Sequence, residues 1–139
     1  MPRVETTFPG GYKTRSIVHG VTGTDYEFCT DYSKPYGGEG SAPTPWDTFL
    51  AALMACQSVH VRNFCAEHDI PTENLKLQLD LVTAEDNREV LDFQVHILFP
   101  KEFPEELRDG ALYAARHCKV VQHLLDFHPV VTYTTEIQK

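Results

Sequence analysis

The sequence has no uninterrupted apolar run near the ~18 residues that a bilayer-spanning helix requires, no Cys-x-x-Cys pair and no basic stripe. The first absence argues against a membrane span. The opening stretch MPRVETTFPGGY also lacks the apolar segment of a secretory signal, so the expected location is the cytoplasm. Without Cys-x-x-Cys, the strongest zinc and thioredoxin-type spacings are missing. Basic residues are scarce, 12 Lys and Arg against 20 Asp and Glu, and the net charge is −8. Such a surface repels polyanions over most of its faces, so neither nucleic acid nor a membrane is expected as a partner. The glycine-rich stretch SKPYGGEGSAP lacks the Gly-Lys-Ser/Thr ending of a phosphate loop and reads as an exposed, mobile connector.

What is present fits one domain spanning residues 1–139, large enough for a core and small enough for oligomerisation to add burial. KTRSIVHGV and YEFCTDY flank the turn-rich TGTD and predict a hairpin within an N-terminal β meander. Thr44, Pro45 and Asp47 supply a cap, a first-turn proline and a shortened capping box for a helix that Pro71 ends. Apolar residues occupy almost every side of that helix, from Trp46 through Leu53 and Cys56 to Phe64, which predicts burial nearly all round. NLKLQLDLVTA and EVLDFQVHILF alternate apolar with polar residues around EDNR and predict a long antiparallel hairpin with one wet face. PEELRDGALYAARHCKVVQHLLDF reads as a second helical stretch and PVVTYTTEI as a closing strand. The order β-β-β-α-β-β-α-β argues for an α+β fold, with antiparallel sheet on one side and helices on the other. One sheet covers only one side of the first helix, so its other apolar sides predict a homodimer.

In a reducing compartment Cys29, Cys56, Cys65 and Cys118 are packing residues, metal ligands or redox thiols rather than a disulfide framework. Cys29, on a strand, and Cys65, nine residues beyond Cys56 and facing away from it, read as packing. His60 shares a helical face with Cys56 and reads as a core or interface histidine; zinc held by Cys56, His60, His117 and Cys118 is chemically conceivable, but the spacing is not that of a zinc site. No metal or organic cofactor is expected.

The glycine-rich loop, the segment P-x-[DE]-x-x-L-A-A-L-x-A-C from Pro45 to Cys56, the long hairpin and HCKVVQHL around a second cysteine together resemble the OsmC/Ohr superfamily. The likeness is greater to its OsmC-like branch than to the organic hydroperoxide resistance proteins proper. This resemblance implies a single OsmC-like domain in an intertwined α+β homodimer, with sheets wrapped around two central helices. It also implies reduction of organic hydroperoxides, with Cys56 as attacking thiol, Cys118 as resolving thiol and a dithiol as external reductant. In the reductases an arginine from the early strands, held by a glutamate near the start of the central helix, supports the thiolate. Arg15 and Asp47 are the corresponding candidates. Asp47 precedes Cys56 by nine residues where the reductases have ten, and Trp46 occupies that tenth place. Nine residues span roughly 13 Å of helix and end on the opposite face, so an Asp47 contribution is expected across the dimer interface.

Chemistry sets what such a site requires. A thiolate attacks peroxide oxygen, becomes a sulfenic acid and condenses with a nearby thiol. Cys56 lies well inside its helix, gains little from the dipole and needs a basic neighbour. If a short helix starts at Cys118, its dipole together with Arg116, His117 and Lys119 makes that thiol the more electropositive of the two. The resemblance and the local pattern thus favour different nucleophiles, and the resemblance assigns attack to Cys56. Two other functions compete with a peroxidase: a dimer that binds a small apolar or thiol-reactive ligand, and a redox sensor.

Overall fold

A computed structural model describes residues 3–86, 88–127 and 129–138. The chain divides into two compact units, residues 1–52 and 53–139.

In the first unit, β1 (Val4–Gly10), β2 (Lys13–His19) and β3 (Asp25–Thr30) form an antiparallel sheet in chain order. The expected three-strand meander is present, and its first strand, β1, carries Pro9 and Gly10, which weaken its strand signal. An edge strand tolerates such residues because one row of its backbone groups needs no partner. The register sets Arg15 opposite Thr7 on one side and Cys29 on the other. His19 ties the three strands together, with Nδ1 3.0 Å from Asp25 and Nε2 3.0 Å from Glu5. The Glu5 hydrogen bond first, and then that of Asp25, raises the His19 pKa above its ordinary value.

The glycine-rich connector is more ordered than expected. Asp31 is 1% exposed and gathers the loop around its carboxylate. It accepts the backbone N–H groups of Tyr32, Glu39 and Ser41 at 2.8, 3.2 and 3.1 Å and the Ser41 hydroxyl at 2.7 Å. These donors favour the charged form, so the Asp31 pKa is lowered, with the Ser41 hydroxyl the largest cause. Gly38 passes so close to Tyr32 that an added Cβ would lie 1.9 Å from the Tyr32 carbonyl oxygen. A lysine on β2 adds an outer tie, Lys13 Nζ standing 2.6 Å from Glu39 Oε2.

Helix α1 (Pro45–Glu67) starts at the predicted cap. Thr44 Oγ1 accepts the Asp47 N–H at 3.1 Å and donates to the Asp47 carboxylate at 2.8 Å, which satisfies first-turn donors reciprocally. Burial along α1 is narrower than the sequence suggested. Only Leu53, Gln57, Val61 and Cys65 are buried, one i, i+4 stripe, while Trp46 and Val59 are 45% and 56% exposed.

In the second unit, β4 (Lys76–Thr83) and β5 (Val90–Leu98) form the expected hairpin. Half-buried Leu77 pairs with Ile97 and Leu79 with Val95, so one face is apolar. The described residues thus contain two antiparallel sheets. Behind the hairpin, Val61 and Cys65 of α1 pack with Phe103, Ala111 and Ala115. Gly110 brings the next helix close to α1: a Cβ there would stand 2.6 Å from the Phe64 ring.

The second helical stretch is divided. A 3-10 turn (Glu105–Leu107) leads into α2 (Arg108–Arg116), followed by α3 (Lys119–Gln122) and a π-helical turn (His123–Phe127). The break falls at Cys118, whose extended backbone makes it the N-cap of α3. Residues 129–138 form no regular structure, which corrects the predicted closing strand. Val130, Tyr133 and Ile137 there are 86%, 89% and 92% exposed. Their alternating β-branched and aromatic pattern favours a strand only when a neighbouring strand takes up its backbone groups. Among the described residues, no helix is long and apolar enough to cross a membrane.

Candidate functional site: a paired thiol beside an apolar cavity

The two thiols singled out in the sequence come together in the second unit. Cys56, on α1, is half-buried, and Cys118, capping α3, is 0% exposed. All four cysteines are free thiols. The Cys118 sulfur accepts the Val121 N–H at 3.4 Å, and its thiol lies close enough to Cys56 for the two to interact. Burial is the main force on Cys118 and pushes its pKa up; the Val121 N–H opposes this, and the Cys56 contact adds to the rise. The short helix expected at Cys118 does form, yet the pKa of its thiol is raised rather than lowered. Four residues make a weak dipole, and removing a sulfur from water disfavours its anion more strongly than that dipole assists it. His117 stacks on Tyr113 with ring centroids 3.9 Å apart, and its Nδ1 lies 2.7 Å from the Tyr113 carbonyl.

Of the two cysteines read as packing, Cys65 is buried and Cys29 is not. Cys65 is 0% exposed in the core, and burial raises its pKa. Cys29 lies exposed on β3 with its thiol 3.7 Å from Glu27. His60 is half-buried on α1, and no metal-holding cluster of His, Cys, Asp or Glu occurs among the described residues.

Arg15 and Asp47 belong to the first unit, where each has a partner of its own. Arg15 donates to Glu27 at 2.7 Å across the β2–β3 pair, and that hydrogen bond raises its pKa. Asp47 is engaged with Thr44 in the cap of α1. The carboxylate that orients Arg15 is therefore Glu27, a residue the sequence reading did not single out. Its signal was available in β2–β3 pairing, because Ile17 opposes Glu27 and sets that carboxylate diagonally across from Arg15.

Next to the thiols, the second unit contains a cavity of about 560 Å³. Leu91, Phe93 and Val95 of β5 form one wall, Leu53 and Gln57 of α1 another, and Leu112, Ala115 and Arg116 of α2 a third; Val121, Leu124 and Leu125 complete it. Gln57 directly follows Cys56, and Val121 is the residue whose N–H holds Cys118. The cavity is thus lined by a neighbour of each cysteine, Gln57 for Cys56 and Val121 for Cys118. Gln57 was missed in the sequence because attention went to apolar positions. Its clue was a polar residue at the i, i+4 spacing of Leu53, Val61 and Cys65.

A half-buried thiol on a capped helix paired with a buried thiol at the start of α3, with a glycine-rich loop before that helix and a hairpin after it, defines a cysteine-bearing α+β protein. The OsmC-like protein family model matches residues 38–134, and the chain belongs to that family. In fold it is similar to a candidate osmotic stress induced and detoxification response protein from Psychrobacter arcticus 273-4, with TM-score 0.70, 22% identity, and 88% of this chain and 87% of that chain covered. It is also similar to the organic hydroperoxide resistance protein OsmC of Legionella pneumophila, with TM-score 0.54, 17% identity and 88% of each chain covered. No curated protein matches the sequence.

Proposed function

We propose that the protein is a thiol-dependent peroxidase that reduces organic hydroperoxides. The observation that carries this reading is the contact between Cys56 and Cys118, with the Cys118 thiol kept protonated by burial. The Cys56 thiolate attacks the terminal oxygen of the hydroperoxide; an S–O bond forms, the O–O bond breaks, and the departing alkoxide takes up a proton to become an alcohol. Sulfur is oxidised to sulfenic acid and the peroxide is reduced. Cys118 then attacks the Cys56 sulfur, closing a disulfide and releasing water, and an external dithiol restores both thiols. Contact at the outset removes the need for a large rearrangement before the second step.

The adjacent cavity supports an organic substrate. Its volume suits a ligand with a substantial apolar body, and a molecule the size of hydrogen peroxide would leave its leucine and phenylalanine walls unfilled. On the strength of the family resemblance we assign Arg15, already oriented by Glu27, as the cation that supports the thiolate. Asp47 is proposed to act beside it across a dimer interface, in addition to capping α1. The exposed apolar residues along α1, such as Val59, support a homodimer in which the central helices are covered by a second copy.

The test is consumption of cumene hydroperoxide and of hydrogen peroxide by reduced protein with a dithiol present. Turnover favouring the organic peroxide and abolished by Cys56→Ser is the expected result. Absence of turnover together with an unchanged thiol count would overturn the peroxidase reading and leave a ligand-binding dimer, which the same cavity could serve.

A further inference from the structure

Gln57 is the one polar side chain in the buried stripe of α1. It is 5% exposed, and it lines the 560 Å³ cavity. A primary amide carries two donors and an acceptor, and enclosing it without partners is costly enough that nearly all buried polar groups are paired. A leucine or methionine would fill the same place in the stripe at no such cost. The amide instead faces a space walled by Leu53, Leu91, Phe93, Val95 and Leu112. A ligand with an apolar body fits those walls, and an oxygen on that ligand can pair with the amide; Asp92 and Arg116 are the other polar residues in the lining.

We infer that Gln57 donates a hydrogen bond to an oxygen of the organic molecule held in this cavity. The inference rests on the peroxidase reading for its catalytic consequence, though the binding contact stands apart from it. In the peroxidase, the oxygen is the one bonded to carbon. As the O–O bond breaks, that oxygen becomes an alkoxide and accepts more strongly, so a fixed donor lowers the barrier more than it tightens substrate binding. The position fits the role: Gln57 adjoins Cys56 in sequence, and Val121, which also lines the cavity, donates its N–H to Cys118. After reaction the same amide bonds to the alcohol product.

The test compares wild type with Gln57→Met, which preserves length and apolar packing, and with Gln57→Glu, which presents a carboxylate to the same oxygen. Folding is checked by circular dichroism and thermal melting. Binding is measured by NMR titration with 2-phenylpropan-2-ol and with cumene, its oxygen-free counterpart. Wild type is expected to prefer the alcohol beyond what solubility predicts, and Gln57→Met to lose that preference, by about tenfold for one hydrogen bond. In parallel, kcat for cumene hydroperoxide should fall by about tenfold or more in Gln57→Met with little change in KM. Gln57→Glu should be worse still at pH 7. An unaltered alcohol preference in folded Gln57→Met would overturn the inference even if Cys56-dependent turnover were robust. A lost preference in a protein with no peroxidase activity would retain the contact and remove only its catalytic consequence.

Discussion

Closure of the Cys56–Cys118 disulfide should be strongly pH-dependent, and its slope follows from the burial of one sulfur. Cys118 is pushed above the ordinary cysteine value of 9.0, chiefly by burial. At pH 7 fewer than about one Cys118 in a hundred is therefore ionised, and the thiolate is the attacking species. Oxidation of Cys56 to sulfenic acid removes the thiol–thiol contact that also favours the protonated form, but the burial and the opposing Val121 N–H remain. The rate of closure should accordingly rise about tenfold per pH unit between pH 6 and pH 8, because the ionised fraction does. The assay mixes reduced protein with one equivalent of cumene hydroperoxide, quenches with a sulfenic-acid trap over time, and separates sulfenate from disulfide by intact mass. Cys118→Ser is the control: it should halt at the trapped sulfenate at every pH. Closure that is flat across this range would refute the argument, because it would require a Cys118 that is already ionised or a base that burial does not reveal.

Two stability measurements probe the units separately. His19 has a raised pKa, so its bonds to Glu5 and Asp25 stabilise the folded form fully below the unfolded value of 6.5 and progressively less as pH rises through the folded value. The melting-temperature difference between wild type and His19→Gln should thus shrink from pH 6 upward, and a difference that grows with pH would contradict the geometry. Val61 is 1% exposed in the core of the second unit, and Val61→Ala removes two methyl groups from a packed site. Loss of about 1–3 kcal/mol in urea unfolding, with an unchanged m-value, is expected.

Local chemistry made much of this protein legible in advance. Thr44, Pro45 and Asp47 marked the start of α1 because capping is settled within a few residues of the chain. The alternation in LKLQLDL and FQVHIL marked β4 and β5 because a strand's two faces are written with period two. Cys56 and Cys118 were recognisable as a pair through the likeness of their flanking segments to a family, and Cys65 as packing through its helical position.

Other features depended on residues distant in sequence. The closing strand failed because β-branched residues confer a preference, whereas a strand exists only where another strand meets its backbone groups. Asp31 became the hub of the glycine-rich loop through N–H groups up to ten residues away, so its burial could not be read from its neighbours. Arg15 found Glu27 through strand register rather than through the capping residue Asp47. The ionisation of Cys118 was set in the same way. The sequence around Cys118 is rich in positive charge, but the ionisation of a thiol depends on how much water and which donors surround its sulfur, and only packing of α1 against the α2–α3 break decided that.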